Sequence, residues 1–260
     1  MRLFKTPGQE IASDFLYWLE KTIESENKSS KLVKNTSYKP SSLNCLRMMY
    51  FYRTSTKMDE VKRPASSIGI LQSGQDRHLR IQEAITKIKE NGFDCEWIDV
   101  ETYIKEQKLD YLEVVNKKEF ETTVHNKELD LLFLCDGLVR INNKYYIIEI
   151  KTESTSSFYL RKEVAEEHKH QATCYSISLK INNIIFIYEN RDVCIKKVFL
   201  FTITQSLKDE VIGLIERCNQ AVKDNCIPPR IECKLCNYCD YKKSCKAIDS
   251  GKIDKVELNK

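Results

Sequence analysis

The chain has 260 residues, of which 42% are hydrophobic, 31% charged and 10% aromatic, and this composition excludes disordered and fibrous proteins. Its 42 Lys and Arg residues against 38 Asp and Glu give a formal charge of +4, which permits nucleic-acid binding without requiring it. The sequence contains only 7 glycines and no G-x-x-x-x-G-K-[ST] motif, which excludes a P-loop ATPase.

No apolar run reaches the roughly 18 to 20 residues of a membrane helix, and residues 1–7 lack an apolar signal stretch. We therefore expect a cytoplasmic protein with no membrane contact. In such a reducing compartment the 11 cysteines favour metal binding over disulfides.

The first third of the chain has the apolar spacing of helices. A helix is predicted over residues 9–24, followed by a polar loop over 25–38 and a short helix over 43–52. Residues 68–90 predict a longer helix that stops at Asn91-Gly92. His78 shares a face of this helix with isoleucines, and a histidine in that position is more often a packing residue than a ligand.

The middle of the chain predicts a β-meander over residues 117–124, 128–135 and 144–150, with a turn at Asn142-Asn143. A helix is then expected over residues 159–179, on which Gln171 and Tyr175 fall on one face. Two strands over 184–188 and 194–204 and a helix over 206–223 follow. The order of these elements is typical of an α/β fold.

Acidic residues lie on neighbouring strands of this meander. Asp136 ends one strand, and Glu149-Ile150-Lys151 lies on the next. Because side chains alternate along a strand, Glu149 and Lys151 face one side while Ile150 packs behind them with its carbonyl free as an oxygen ligand. Two carboxylates and a carbonyl suit Mg²⁺ or Mn²⁺, and Lys151 would orient or deprotonate an attacking water.

The Glu-x-Lys spacing alone is a weak signal. Glu60-Val61-Lys62 has the same spacing in a segment without a strand pattern. The alternative interpretation of Glu149 and Lys151 is a surface salt bridge worth under about 1 kcal/mol.

Four cysteines crowd into one segment near the end of the chain, Cys233-x2-Cys236-x2-Cys239-x5-Cys245. Thiolates at this density repel one another unless a metal holds them. From the spacing alone, a zinc site made by these four cysteines is chemically sound.

Taken in order, these motifs resemble the RecB-like branch of the PD-(D/E)XK nuclease superfamily, which includes the iron–sulfur exonucleases of CRISPR adaptation. The similarity spans most of the chain. The matching motifs are residues 41–52 with Cys45 and Arg47, Gly74-x3-His78, Asp136, Glu149-x-Lys151, Gln171-x3-Tyr175 and Cys236-x2-Cys239-x5-Cys245. The proline in the superfamily's name is replaced by Cys135, a position that supplies no ligand.

The resemblance implies a site for each motif. His78, Asp136, Glu149 and the Ile150 carbonyl would hold Mg²⁺ or Mn²⁺, and Lys151 would serve the water, with Gln171 and Tyr175 as further catalytic residues. The resemblance also implies a 4Fe-4S cluster held by the ligands Cys45, Cys236, Cys239 and Cys245. Cys233 would then be a spare thiol, whereas the zinc alternative would use it.

The implied fold is a restriction-endonuclease-like α/β core, with a central mixed sheet flanked by helices and with the N- and C-terminal segments joined at the cluster. Residues 1–260 would form a single nuclease domain. Within it, residues 1–66 are the N-terminal helical segment, 67–204 the core, and 205–260 the C-terminal helix and Cys-rich segment.

The implied function is a metal-dependent DNA exonuclease that acts at DNA ends in recombination, repair, phage or CRISPR-adaptation processing, on DNA that is single-stranded or has free ends. Helicase, recombination or CRISPR-adaptation proteins are the expected partners. Two alternatives are a DNA-binding subunit of a larger complex and a zinc or iron–sulfur scaffold without nuclease activity. The segment 57–63 and Arg161-Lys162 are candidate phosphate contacts, with Phe158 and Tyr159 placed to stack on bases.

Overall fold

The computed structural model describes residues 7–26, 36–56, 58–59, 63–232, 234–237 and 239–251. The helices of this part of the chain are α1 (Pro7–Glu26), α2 (Leu46–Arg53), α3 (Ala65–Thr86), α4 (Val100–Glu106), α5 (Thr155–Leu160), α6 (Glu166–Leu179), α7 (Gln205–Lys223) and α8 (Lys242–Asp249). The strands are β1 (Glu96–Trp97), β2 (Leu112–Lys117), β3 (Thr122–Asn126), β4 (Leu131–Cys135), β5 (Gly137–Ile141), β6 (Lys144–Glu153), β7 (Asn183–Asn190) and β8 (Lys196–Thr202). Short 3-10 helices cover Pro40–Ser42 and Lys234–Asn237.

The strands form two sheets. The larger sheet has the order β1-β5-β6-β7-β8, and the smaller one has the order β2-β3-β4. Strands β6 and β7 run parallel, while the other neighbours in the larger sheet are antiparallel. A parallel pair needs a crossover connection, and helices α5 and α6 provide it. The fold is therefore mixed α/β, and the expected mixed central sheet flanked by helices is confirmed.

The two faces of the central sheet are covered by different helices. Ile148 and Ile150 of β6 pack with Ile81 and Ile85 of α3 in a small apolar cluster. The opposite face belongs to the main core, in which Tyr175 of α6 lies among the buried aromatic residues. Because the side chains of β6 alternate, this arrangement turns Glu149 and Lys151 away from the isoleucines.

The chain changes sheets at Asp136, which lies between the last residue of β4 and the first residue of β5. Gly137 opens β5 directly under an aromatic ring, and a Cβ built there would lie 2.5 Å from Trp97 Cη2. Only glycine allows this close approach of the ring to the backbone.

Several predicted elements were wrong in detail. The predicted strand over 117–124 contains the turn between β2 and β3, in which the Lys118 amide donates a hydrogen bond to the Glu121 carbonyl. The predicted meander is also divided, since β3 and β4 belong to the smaller sheet and β6 to the larger one. The predicted helix over 159–179 is broken between α5 and α6, where Arg161 turns back to pair with Glu153. Helix α3 ends at Thr86, before Asn91-Gly92.

The polar loop predicted over 25–38 falls largely on residues outside those described, and so does most of the segment 57–63. Of the helices that the structure describes, none has a stretch long and apolar enough to cross a membrane.

The Gly137→Ala substitution tests the tight corner after Asp136. We expect it to lower the free energy of unfolding by about 1 to 3 kcal/mol, because the new methyl group must displace the Trp97 ring. Gly69→Ala is the matched control, since no atom lies within 4 Å of a Cβ at this helical position and alanine favours the helix by up to about 1 kcal/mol. Urea denaturation measures the free energy of unfolding of both variants. Equal stability of the two would contradict the close packing of Trp97 against Gly137.

Candidate active site

The register of the central sheet brings the two acidic residues together. Gly137 pairs with Ile148 across the β5–β6 hairpin, so the preceding residue, Asp136, lies beside Glu149. One Asp136 oxygen, Oδ2, accepts a hydrogen bond from the Ile150 amide at 2.6 Å. The main chain of the Glu-x-Lys strand therefore fixes the carboxylate that precedes β5.

Glu149 and Lys151 form a buried ion pair with 2.5 Å between Lys151 Nζ and Glu149 Oε1. The Glu149 side chain is only 1% exposed, and its Oε2 atom has no hydrogen-bond partner among the described residues. Burial raises the pKa of Glu149 to about 7, with a further rise from Asp136 that Lys151 opposes. An unpaired buried carboxylate oxygen is costly, so this atom favours a cationic ligand.

Lys151 is held in place by helix α6. Its Nζ donates a hydrogen bond to Gln171 Oε1 at 3.0 Å, and Gln171 Nε2 donates to the Tyr175 hydroxyl at 2.7 Å. Burial disfavours the ammonium, but the charges of Glu149 and Asp136 outweigh this effect and raise the pKa of Lys151. The Gln-x3-Tyr motif thus positions the lysine, and the buried Tyr175 anchors the glutamine.

Helix α3 approaches the same acidic pair from its other side. His78 Nδ1 lies 3.3 Å from Asp136 Oδ1. Burial disfavours the imidazolium, but the hydrogen bond and charge of Asp136 outweigh it and raise the pKa of His78. His78 is therefore a partner of the acidic site, whereas Ile81 and Ile85 of the same helix pack in the core.

Gln82 is a residue that the sequence analysis missed. It lies one turn after His78, is fully buried, and donates a hydrogen bond from Nε2 to the Asp136 carbonyl at 2.7 Å. The two α3 residues thus hold both the side chain and the main chain of Asp136. The available signal was the i, i+4 spacing of two polar residues on an otherwise apolar face.

The carboxylates, His78 and the Ile150 main chain meet at one corner of the sheet, as the sequence predicts for a hard-cation site. Even so, no group of three or more His, Cys, Asp and Glu side chains in the described ranges is arranged to hold a metal ion. The same finding covers Cys45, Cys236, Cys239 and Cys245. At the acidic corner, Lys151 pairs with Glu149, and the Ile150 amide donates a hydrogen bond to Asp136.

The distant cysteines of the sequence lie around one small cavity, whose lining includes Cys45, Cys236, Cys239 and Cys245. Burial, together with the neighbouring thiols of Cys45 and Cys245, raises the pKa of Cys239 to about 11. Cys233 lies outside the described residues.

Arg47 ties the two ends of this cysteine cavity together. Its guanidinium donates hydrogen bonds to the Pro228 carbonyl at 2.6 Å and to Cys245 Sγ at 3.4 Å, and it pairs with Asp249 at 2.7 Å. Helix α2 is therefore fastened to the Cys-rich segment by its buried arginine.

Of the expected DNA contacts, base stacking by Phe158 is wrong, and Arg161 already has partners within the protein, while Lys162 is exposed. Phe158 is only 1% exposed, so its ring cannot stack on a base. Arg161 pairs with Glu153 and lies over the Tyr188 ring, because a buried cationic side chain needs such partners. Tyr159 is exposed, as base stacking would require.

No protein-family model matches the chain, and no curated protein matches it. Among solved structures it is similar to SSO0001, with 17% identity, a TM-score of 0.46, and coverage of 90% of this chain and 97% of that chain. It is also similar to LHK-Exo in complex with dAMP, with 13% identity and a TM-score of 0.43. The alkaline exonuclease LHK-Exo from Laribacter hongkongensis gives 10% identity and a TM-score of 0.39. Both LHK-Exo comparisons cover 74% of this chain and 90% of that chain. Similarities at this level carry no functional argument, so any functional assignment depends on the geometry of the site.

The buried His168 of α6, close to this site, should make the stability of the folded protein depend on pH. Its Nδ1 lies 2.8 Å from the Tyr188 hydroxyl, and burial, with Lys151 and Arg161 nearby, lowers the pKa of His168 to about 3. Below pH 6.5 the unfolded chain therefore takes up a proton that the folded protein refuses, and stability is lost as the pH falls. Between pH 8 and pH 5 we expect His168→Gln to lose roughly 1 to 2 kcal/mol less stability than the parent protein. Urea midpoints at both pH values measure this, and parallel losses would contradict it.

Proposed function

We propose that this chain is a metal-dependent DNA nuclease of the RecB-like PD-(D/E)XK type, and that it acts as an exonuclease at DNA ends. The observation that carries the proposal is the joint placement of Asp136, Glu149, Lys151 and Gln171 at one buried corner of the central sheet. A surface salt bridge would need neither the burial of Glu149 nor a glutamine that orients the lysine. The proposed setting is DNA recombination, repair, phage or CRISPR-adaptation processing, with helicase or adaptation proteins as partners.

The residues at this corner fit Mg²⁺ or Mn²⁺. The unpaired Glu149 Oε2 atom supports this fit, because a buried carboxylate oxygen needs a cation or a hydrogen-bond donor. We propose that Glu149, Asp136, His78 and the Ile150 carbonyl hold the ion. When bound, such an ion lowers the pKa of a water and stabilises charge on a phosphate.

We assign the handling of the water and the phosphate to Lys151 and its positioning to Gln171 and Tyr175. Lys151 carries a proton and a positive charge at the corner, so it orients the water and faces the phosphate. Gln171 fixes the position of Nζ through a 3.0 Å hydrogen bond, and Tyr175 fixes Gln171. Misplacement of a catalytic group by about 1 Å costs large factors in rate, so Gln171 and Tyr175 act as positioning residues for Lys151.

We further propose that Cys45, Cys236, Cys239 and Cys245 bind a 4Fe-4S cluster, with zinc as the alternative. Their shared cavity supports a bound metal centre, because thiolates that are crowded together need a cation between them. The hydrogen bond from Arg47 to Cys245 Sγ is a charge-assisted contact that stabilises a thiolate ligand.

The nuclease proposal predicts that the purified protein degrades end-labelled DNA only with Mg²⁺ or Mn²⁺, and that EDTA stops the reaction. Lys151→Ala should reduce cleavage at least about 100-fold, which is within the range for loss of a catalytic acid–base group. Glu149→Gln should reduce it by a similar factor, because it removes a charged ligand of the metal ion. Gel assays with single- and double-stranded substrates measure the effect.

The matched control is the exposed pair of Glu101 and Lys105 on α4, whose charged atoms lie 2.6 Å apart. Glu101→Gln and Lys105→Ala should leave cleavage unchanged. Full activity of Lys151→Ala and Glu149→Gln would defeat the site assignment, and metal-dependent DNA binding without cleavage would favour the non-catalytic subunit.

The cluster proposal predicts that anaerobically purified protein is brown and contains iron and sulfide. Cys45→Ser should lower the iron content and lower stability by up to about 5 kcal/mol, since the cluster closes a loop of nearly the whole chain. Cys226→Ser is the control, because this exposed thiol lies outside the cavity. Bound zinc without iron, sensitive to Cys233→Ser and not to Cys45→Ser, would establish the zinc alternative instead.

A further inference from the structure

A second cavity, of about 270 Å³, lies between helix α3 and the turn that joins β7 to β8. Helix α3 contributes Ser66, Ser73 and Gly74 to its lining, and β6 contributes Thr152. The turn contributes Arg191 and Asp192. None of the described residues that line it is aromatic, so these residues offer no ring for a base to stack on.

The cavity shares two walls with the candidate active site. Thr152 follows Lys151 on β6, and Gly74 precedes His78 by one turn of α3. Four residues of an α-helix rise about 6 Å. Thr152 Oγ1 would lie 3.9 Å from a Cβ at Gly74, so the cavity is on the α3 side of β6, next to the turn of α3 that carries His78.

The surroundings of the cavity carry excess positive charge. Glu189 is fully buried and already pairs with Arg77, Arg80 and Lys196. The Asp192 carboxylate is occupied by the hydroxyl and amide of Thr155. With Arg191 included, four cations face two carboxylates, and both carboxylates have partners.

Arg77 forms the frame of the cavity. Its guanidinium donates hydrogen bonds to Ser73 Oγ at 3.2 Å, to Glu189 and to the Arg191 carbonyl at 2.6 Å. It therefore links α3 to the β7–β8 turn and is not free for a ligand. The Arg191 guanidinium, in contrast, forms no hydrogen bond or salt bridge with a described residue, and its charge acts on the neighbouring Asp192 carboxylate, whose pKa is lowered mainly by the hydrogen bond from Thr155.

We propose that this cavity binds a DNA phosphate group next to the phosphate that is cleaved, with Arg191 and the hydroxyls of Ser73 and Thr152 as its ligands. Guanidinium and hydroxyl donors are the groups that proteins use to fix the register of a nucleic-acid backbone. The inference rests on the proposed nuclease function, because it assigns a substrate subsite to the same active site. It makes the cavity a positioning site that sets which phosphodiester reaches Lys151.

The phosphate has two sources, an internal phosphodiester or a terminal phosphate. The test measures binding of a short fluorescent single-stranded DNA without divalent metal, so that no cleavage occurs. Arg191→Gln should raise Kd about tenfold, equivalent to about 1.4 kcal/mol. It should also lower the slope of log Kd against log salt by roughly 0.7, as expected for one lost phosphate contact. Thr152→Val should weaken binding in the same direction.

The control is Arg217→Gln, an exposed arginine on α7, which should leave Kd unchanged. The same measurement with DNA that ends in a hydroxyl distinguishes a terminal phosphate from an internal phosphodiester. If Arg191→Gln no longer changes Kd with this DNA, the ligand is a terminal phosphate. If the change in Kd persists, the ligand is an internal phosphodiester.

Equal Kd values for Arg191→Gln and Arg217→Gln, in protein that still cleaves DNA, would overturn the cavity assignment and leave the nuclease proposal standing. If DNA binding depends on Arg191 but the protein never cleaves DNA, the nuclease proposal is overturned and the phosphate site in the cavity stands. Parent protein that neither binds nor cleaves DNA would overturn both.

Discussion

The structure depends on two acidic side chains that are buried at one corner of the central sheet. Asp136 and Glu149 carry two negative charges at one corner of the central sheet, and Lys151 supplies one positive charge against them. Buried charges are tolerated only when they are paired and hydrogen-bonded. The surrounding structure supplies these partners one by one, and among the described residues it provides none for Glu149 Oε2.

Two helices on opposite faces of the sheet share this task. Helix α3 holds Asp136 through His78 and Gln82, while α6 holds Lys151 through Gln171. Strand β6 lies between them, and its alternation separates the isoleucines under α3 from the charged pair under α6. Packing and site geometry are thus properties of the same strand, since a one-residue slip of β6 would exchange the two faces.

The sequence predicts those parts of the site that depend on residue spacing within a single strand or helix. Strand alternation placed Glu149 and Lys151 on one side, and helical spacing placed Gln171 with Tyr175. It was less informative where tertiary contacts decide the outcome. The break between α5 and α6 depends on Arg161 reaching Glu153, and β5 follows Asp136 so closely that apolar periodicity merges it with its neighbours. The i, i+4 spacing from His78 marks Gln82 as a polar residue on an apolar face, but the sequence does not identify its partner, which is the main-chain carbonyl of Asp136.

The hydrogen bonds of Arg47 have a consequence for how the protein is made. They join helix α2 to residues that lie 181 to 202 positions later in the chain. On the ribosome, at about 5 to 20 residues per second, the arginine waits roughly 10 to 40 s before its last acceptor is synthesised. The sheet that carries Asp136 and Glu149 is complete well before that moment. Every strand of that sheet is therefore synthesised before helix α2 can be fastened to the last part of the Cys-rich segment.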